Sequence, residues 1–177
     1  MKARDFRPWA EEQLAKSPAV TDVTAVQDDR PENAHITYTH VTFTTGARIV
    51  IHWVSSDPVG GKNVHPDGTP VVTGPPPAPV PVPELATAGR LKLLDVEAHL
   101  AAMLNNGGHE EVAEALGYHQ REDPIREQRT MQYGLIIGCH SGETVTGLLI
   151  HTLPAGRQPR ASGLGRLSCQ PMAWFRT

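Results

Sequence analysis

The sequence predicts an α+β fold: an antiparallel sheet of about five strands, three from the N-terminal part and a buried hairpin from the C-terminal part, covered by two or three helices. Three observations lead there. Residues 133–153 (YGLIIGCHSGETVTGLLIHTL) read as two strands with apolar residues on both faces. Segments between 19 and 55 alternate as half-buried strands do, and residues 90–105 carry apolar side chains at helical spacing.

Residues 8–16 (PWAEEQLAK) predict a short helix, with proline in its first turn and Glu11 and Glu12 near the positive end of its dipole. Pro18 stops it. Strands are predicted at 19–27, 35–44 and 47–55. The first connection is DDRPEN at 28–33 and the second is Thr45-Gly46. Val41, Phe43, Ile49, Ile51 and Trp53 share one face if opposed positions have an even sum, which a three-residue loop ending in Gly46 provides. The other face then carries Tyr38, His40, Thr42, Val50, His52 and Val54. This brings His40 and His52 within side-chain reach.

From 56 to 83 the periodicity is lost. GPPPAPVPVP at 74–83 lacks the donors for a helix or an inner strand and predicts extended polyproline II. The expected organisation is a single domain, 1–177, with 56–83 as a linker. The alternative is two small units, 1–55 and 84–177. A tract of this kind acts either as a spacer, the commoner role, or as a ligand for an aromatic groove. Gly60-Gly61-Lys62-Asn63 fails as a phosphate loop, because the first glycine and the final Ser or Thr are missing.

Leu93, Val96, Leu100, Met103 and Leu104 form the stripe of the strongest helix, ended by Asn105-Asn106-Gly107-Gly108. Residues 109–116 are expected to continue as a second short helix closed by Gly117, and Asp123-Pro124 to start a third running to 130. Ala113 and Gly117 have the spacing of a helix-turn-helix. Asp123 and Arg126 occupy the inward positions of its second helix, however, and Pro124 interrupts it. His109-Glu110-Glu111-Val112-Ala113 lacks the second histidine of a zinc-protease helix.

In the hairpin at 133–153, Leu135, Ile137, Cys139, Val145 and Leu149 face one way and Ile136, Leu148 and Ile150 the other, with Ser141-Gly142 at the turn. It is expected in the middle of the sheet. Gly134, Gly138 and Gly147 would admit close approach of covering groups.

For function, a net charge of −3 does not suggest a general polyanion binder. Two cysteines form no disulfide framework, the start MKARDFRPWAEEQL has no signal-like apolar run, and nothing approaches the ~18 apolar residues of a membrane span. A cytoplasmic protein with no membrane partner is expected. His40 and His52 could begin a site for a divalent transition metal such as zinc, as in a small metal-dependent hydrolase, although no third ligand stands at a recognisable spacing. Cys139-His140-Ser141 offers no convergent nucleophile and base, since neighbours on a strand face opposite sides, and Cys139 reads as a small buried hydrophobe. The tail 154–177 holds Arg157, Arg160, Arg166 and Arg176 with no acidic residue, plus Trp174 and Phe175. These six residues either contact nucleic acid or a protein partner, or dock on their own domain. With no intact catalytic motif, the expected function is a non-enzymatic binding or accessory protein acting through protein contacts. A nucleic-acid-binding protein and the metal hydrolase are the alternatives.

Overall fold

A computed structural model describes residues 1–56, 72–121 and 132–153. Its elements follow the order α1 (Ala3–Ala15), β1 (Val20–Gln27), β2 (Thr37–Phe43), β3 (Arg48–Ser56), α2 (Leu93–Asn105), β4 (Val112–Gly117), β5 (Gly134–Cys139) and β6 (Thr144–Leu153). The fold is α+β, with one antiparallel sheet of six strands in the order β1-β2-β3-β6-β5-β4. Both helices lie on one face. Phe6, Leu14, Leu100 and Leu104 join Val41, Ile51, Leu135, Ile137 and Val145 in a common core. These strand residues are those that alternation assigns to a single face.

Helix–strand–strand–strand occurs twice along the chain. The second copy is displaced by 90 residues at the helices (Ala3 and Leu93), by 92 at the first strands (Val20 and Val112) and by 96 at the hairpins (Gly46 and Gly142). The details repeat as well. Each first strand carries a bulge at its second residue, between Val20 and Asp22 and between Val112 and Glu114. Each hairpin closes through a left-handed glycine, with φ of 76° at Gly46 and 80° at Gly142. Their N–H groups donate to Phe43 O at 2.8 Å and Cys139 O at 2.9 Å. The copies meet where β3 pairs β6, from Ser56 opposite Thr144 to Arg48 opposite Leu153.

The predicted register of the β2–β3 hairpin holds, and the faces expected of Ile137 and Val145 are observed in the second hairpin. Val41 stands opposite Ile49 and Ile137 opposite Val145. β5 and β6 are interior strands, with Ile136 buried and Leu148 half-buried on the face away from the helices, while Ile150 sits where β6 shifts register against β3. Gly147 does admit close approach: a Cβ there would lie 2.6 Å from the Trp53 ring.

Three expectations require correction. The segment 109–116 is not helical; it contains β4, so the sheet has six strands. The bulge explains the error: it places Val112 and Ala115 on the same buried face three residues apart, which imitates helical spacing. Pairing with β5 then overrides the helix preference of Ala113, Glu114 and Leu116. A helix-turn-helix at Ala113–Gly117 is thereby excluded. Helix α1 starts at Ala3, not Pro8, and contains the proline. An interior proline costs about 3 kcal/mol; complete burial of Phe6, Ala10 and Leu14 on one stripe offsets it. The strongest helix begins at Leu93, three residues later than expected. The predicted helix at 123–130 lies outside the described residues.

One polar side chain ties α2 to the second copy. Glu97 is 1% exposed, within the apolar stripe of α2. Its Oε1 accepts from His119 N–H at 2.7 Å and His119 Nδ1–H at 3.0 Å, and its Oε2 accepts from Gly134 N–H at 3.0 Å. The carboxylate thus joins the exit of β4 to the entry of β5. Gly117 leaves it room, since a Cβ there would sit 2.6 Å from Oε1. Buried donors left without an acceptor cost about 1–3 kcal/mol each. Glu97→Ala is therefore expected to destabilise the protein by about 2–4 kcal/mol in urea unfolding, and His119→Ala by clearly less, because His119 is partly solvated. Equal effects would refute the clamp.

Candidate functional site

The proline tract is fastened along α2 by one backbone carbonyl and several side chains of the second copy. Gly74 N–H donates to Glu110 O at 2.9 Å, and His140 Nε2 donates to Pro75 O at 3.2 Å. Asn105 Nδ2 donates to Ala78 O at 2.8 Å, while Asn105 Oδ1 accepts from Ala115 N–H in β4. Asn106 takes both backbone groups of Val80, accepting from its N–H at 2.8 Å and donating to its C=O at 2.7 Å. His99, 3% exposed, donates from Nδ1 to Pro83 O at 2.7 Å. That bond fixes its tautomer, so its Nε2 accepts from the Ser17 hydroxyl at 2.7 Å. Leu85 then buries its side chain in the core.

These contacts use the inner side of residues 74–83. The outer side faces water: every residue from 75 to 83 except Pro77 is exposed. The large apolar side chains left most exposed among the described residues are Val72, Val80, Val82 and Leu94, and two of these four, Val80 and Val82, belong to this segment. The composition is visible in the sequence. The fastening is not, because Asn105-Asn106 reads there only as a helix terminus.

His40 and His52 share the face of the sheet opposite the helices, as expected. His40 stands opposite Val50, and His52 opposite Tyr38, whose ring packs edge-on at 5.4 Å. His151 joins that face, opposite Val50 across the β3–β6 seam. His40 is 7% exposed and its Nε2 has no hydrogen-bond partner among the described residues. Burial pushes both imidazoles below the ordinary histidine value; Arg48 adds to the effect at His40 and Asp22 opposes it. Among the described residues no group of three or more His, Cys, Asp or Glu is arranged to hold a metal ion. Nearby, Arg30 forks onto Asp28 at 2.9 and 2.7 Å and holds that carboxyl far below the usual range, and the Tyr38 hydroxyl donates to it at 2.9 Å.

Cys139 is buried on the helix-facing side of β5, and burial pushes its thiol up to about 11. It is a neutral packing group, as its place in the strand pattern implies. Arg157, Arg160, Arg166, Trp174, Phe175 and Arg176 lie outside the described residues. No helix among the described residues is long and apolar enough to cross a membrane. Comparison with protein-family models, with curated proteins and with solved structures finds no match to this chain.

Two measurements follow from these environments. Because the folded-state pKa of His40 and His52 lies below the unfolded value of about 6.5, the unfolded chain binds more protons between the two values. Stability contributed by the neutral rings is present above that unfolded value and is lost as pH falls through the folded values. Thermal melts from pH 8 to 5 should show this loss, and His40→Phe should make the curve flatter; an unchanged slope would contradict the assignment. In a Cys169→Ser background, Cys139 should react with a disulfide reagent at pH 8 only at the rate of unfolding. Fast labelling of the native protein would show the thiol to be accessible.

Proposed function

We propose that the protein is a non-enzymatic binding protein that acts through protein–protein contacts, with residues 75–83 as the element it presents. What supports this most is the pinned segment itself, held by Asn105, Asn106, His99 and His140 while its Pro and Val residues other than Pro77 stay exposed. A polyproline strand has no internal hydrogen bonds and offers an apolar, low-entropy surface to grooves lined with aromatic rings. Here much of the ordering cost is met within the chain before any partner arrives, which favours affinity. Pro76-Pro77-Ala78-Pro79 supplies the PxxP spacing such grooves accept. The partner chemistry implied is an aromatic-lined groove on another protein.

The full-length chain titrated against purified SH3, WW and EVH1 domains is expected to bind at least one of them. A Pro79→Gly/Pro81→Gly variant should lose that binding. Asn106→Ala, which unfastens Val80, should weaken it several-fold, as expected for about 1 kcal/mol of lost ordering. Silence across all three domain classes, or binding that ignores the prolines, would reject the proposal.

A further inference from the structure

A cavity of about 1120 Å³ opens between the start of α2 and the β2–β3 hairpin. Its floor is apolar, built from Phe43, Ile49, Leu93, Val96 and Tyr133. Arg90 and Lys92 stand exposed on its rim beside Arg48, whose Nε donates to Thr42 Oγ1 at 3.3 Å. No aspartate or glutamate is among the described lining residues, and none of these three cations makes an ion pair with a described residue. The N-cap of α2, Lys92, provides no side-chain acceptor for the first-turn amides.

The equivalent junction, the start of α1 against the β5–β6 hairpin, shows what this place lacks. With the helix displacement of 90, Lys92 corresponds to Lys2; with the hairpin displacement of 96, Ala47 corresponds to Glu143. At that equivalent junction the hairpin thus supplies a carboxylate. Glu143 accepts from the Met1 amino group and lies 3.9 Å from Lys2 Nζ. At the cavity a methyl group replaces it. The same helix-start and hairpin geometry keeps one cation, Lys92 in the place of Lys2, and has no carboxylate among the described residues, and apolar space opens beside it.

We infer that this cavity binds a small amphiphilic anion: an organic carboxylate whose apolar body lies on Phe43, Ile49 and Val96 and whose head group meets Lys92 and Arg90 in the place Glu143 takes in the other copy. Clefts of a few hundred to about 1000 Å³ with an apolar lining and few polar groups are typical small-ligand sites. A charged head at a helix start gains from both the cations and the unsatisfied amides. This site is separate from the proline segment, and neither proposal needs the other.

Calorimetric titration of the full-length chain with decanoate, decanol and decyltrimethylammonium tests it. Decanoate is expected to saturate a single site, decanol to bind at least about tenfold more weakly, and the cation not to bind, in line with one charge-assisted contact. Arg90→Ala/Lys92→Ala should reduce decanoate affinity about tenfold or more and leave decanol unchanged. Ala47→Glu, which restores the carboxylate of the other copy, should abolish decanoate binding, while Ala47→Gln, of the same size, should retain it. Thermal melts of all variants exclude misfolding as the cause. Failure of decanoate to bind, equal affinity for decanol, or an Ala47→Glu protein that binds like the parent would overturn the inference. Co-sedimentation with phosphatidylglycerol vesicles that Arg90→Ala/Lys92→Ala removes, without any decanoate signal, would overturn it in favour of a bilayer surface.

Discussion

Everything in this molecule hangs on the pairing of β3 with β6, the seam at which the two copies of the motif become one sheet. The seam is held open to a single register by one contact. Trp53 packs against Gly147, where any side chain would collide with the indole. The indole is fixed in turn: its Nε1–H donates to Thr39 Oγ1 at 2.9 Å, the Thr39 hydroxyl donates to Glu11 at 2.7 Å, and Phe6 packs edge-on against the ring at 5.2 Å. A glycine in the second copy therefore communicates with a helix in the first through two hydrogen bonds and an aromatic contact. A shift of β6 by one residue would carry Val145 and Leu149 out of the core and replace the glycine by a bulkier neighbour.

The helices brace the same seam from above, again in a repeated way. Trp9 on α1 packs against His109, and His99, at the equivalent place on α2, bonds Ser17. His109 and Ser17 are themselves equivalent, each accepting from the backbone N–H two residues on, that of Glu111 and that of Ala19. Each helix thus touches the turn that leads into the other copy's first strand. One contact has become aromatic and the other polar. Conservation of placement with exchange of chemistry is what a duplicated unit allows, because geometry is set by the backbone and only local complementarity must be kept. The Ala47 and Glu143 pair belongs to the same pattern.

The parts of the fold legible in the sequence were those where one side-chain period dominates. β2 and β3 alternate cleanly, Gly46 and Gly142 punctuate turns that need a left-handed residue, and α2 carries an uninterrupted stripe. β4 was not legible, because its bulge breaks the period of two at the point where Ala, Glu and Leu suggest a helix. The start of α1 was hidden for a related reason: local rules treat Pro8 as a boundary, whereas burial of Phe6 is a tertiary effect. Of the chemistry, the shared face of His40 and His52 followed from register alone. Glu97 did not, since a glutamate beside Val96 looks like a solvated position until Gly117 and Gly134 arrive from distant sequence to surround it. The internal repeat is not legible in the sequence because it lives in spacing and hydrogen bonds rather than in residue identity.

The proline segment shows how composition and topology meet. The chain must travel from the end of β3 at Ser56 to the start of α2 at Leu93, and the part from Gly74 to Pro83 lies along α2 from its C-terminal asparagines to His99 in its middle. An extended strand laid on a helix cannot complete a ladder, so each backbone donor there would need its own acceptor. Proline removes most of those donors at the source. What remain are carbonyls, and four of them, at Pro75, Ala78, Val80 and Pro83, are met by His140, Asn105, Asn106 and His99. The one intervening donor bonded here, Val80 N–H, is taken by the same Asn106 amide that holds its carbonyl. A tract that in isolation would sample many orientations is thereby given one, with its backbone satisfied inward and its apolar side chains left outward. Its composition makes docking feasible, and the two asparagines at the end of α2 make it specific.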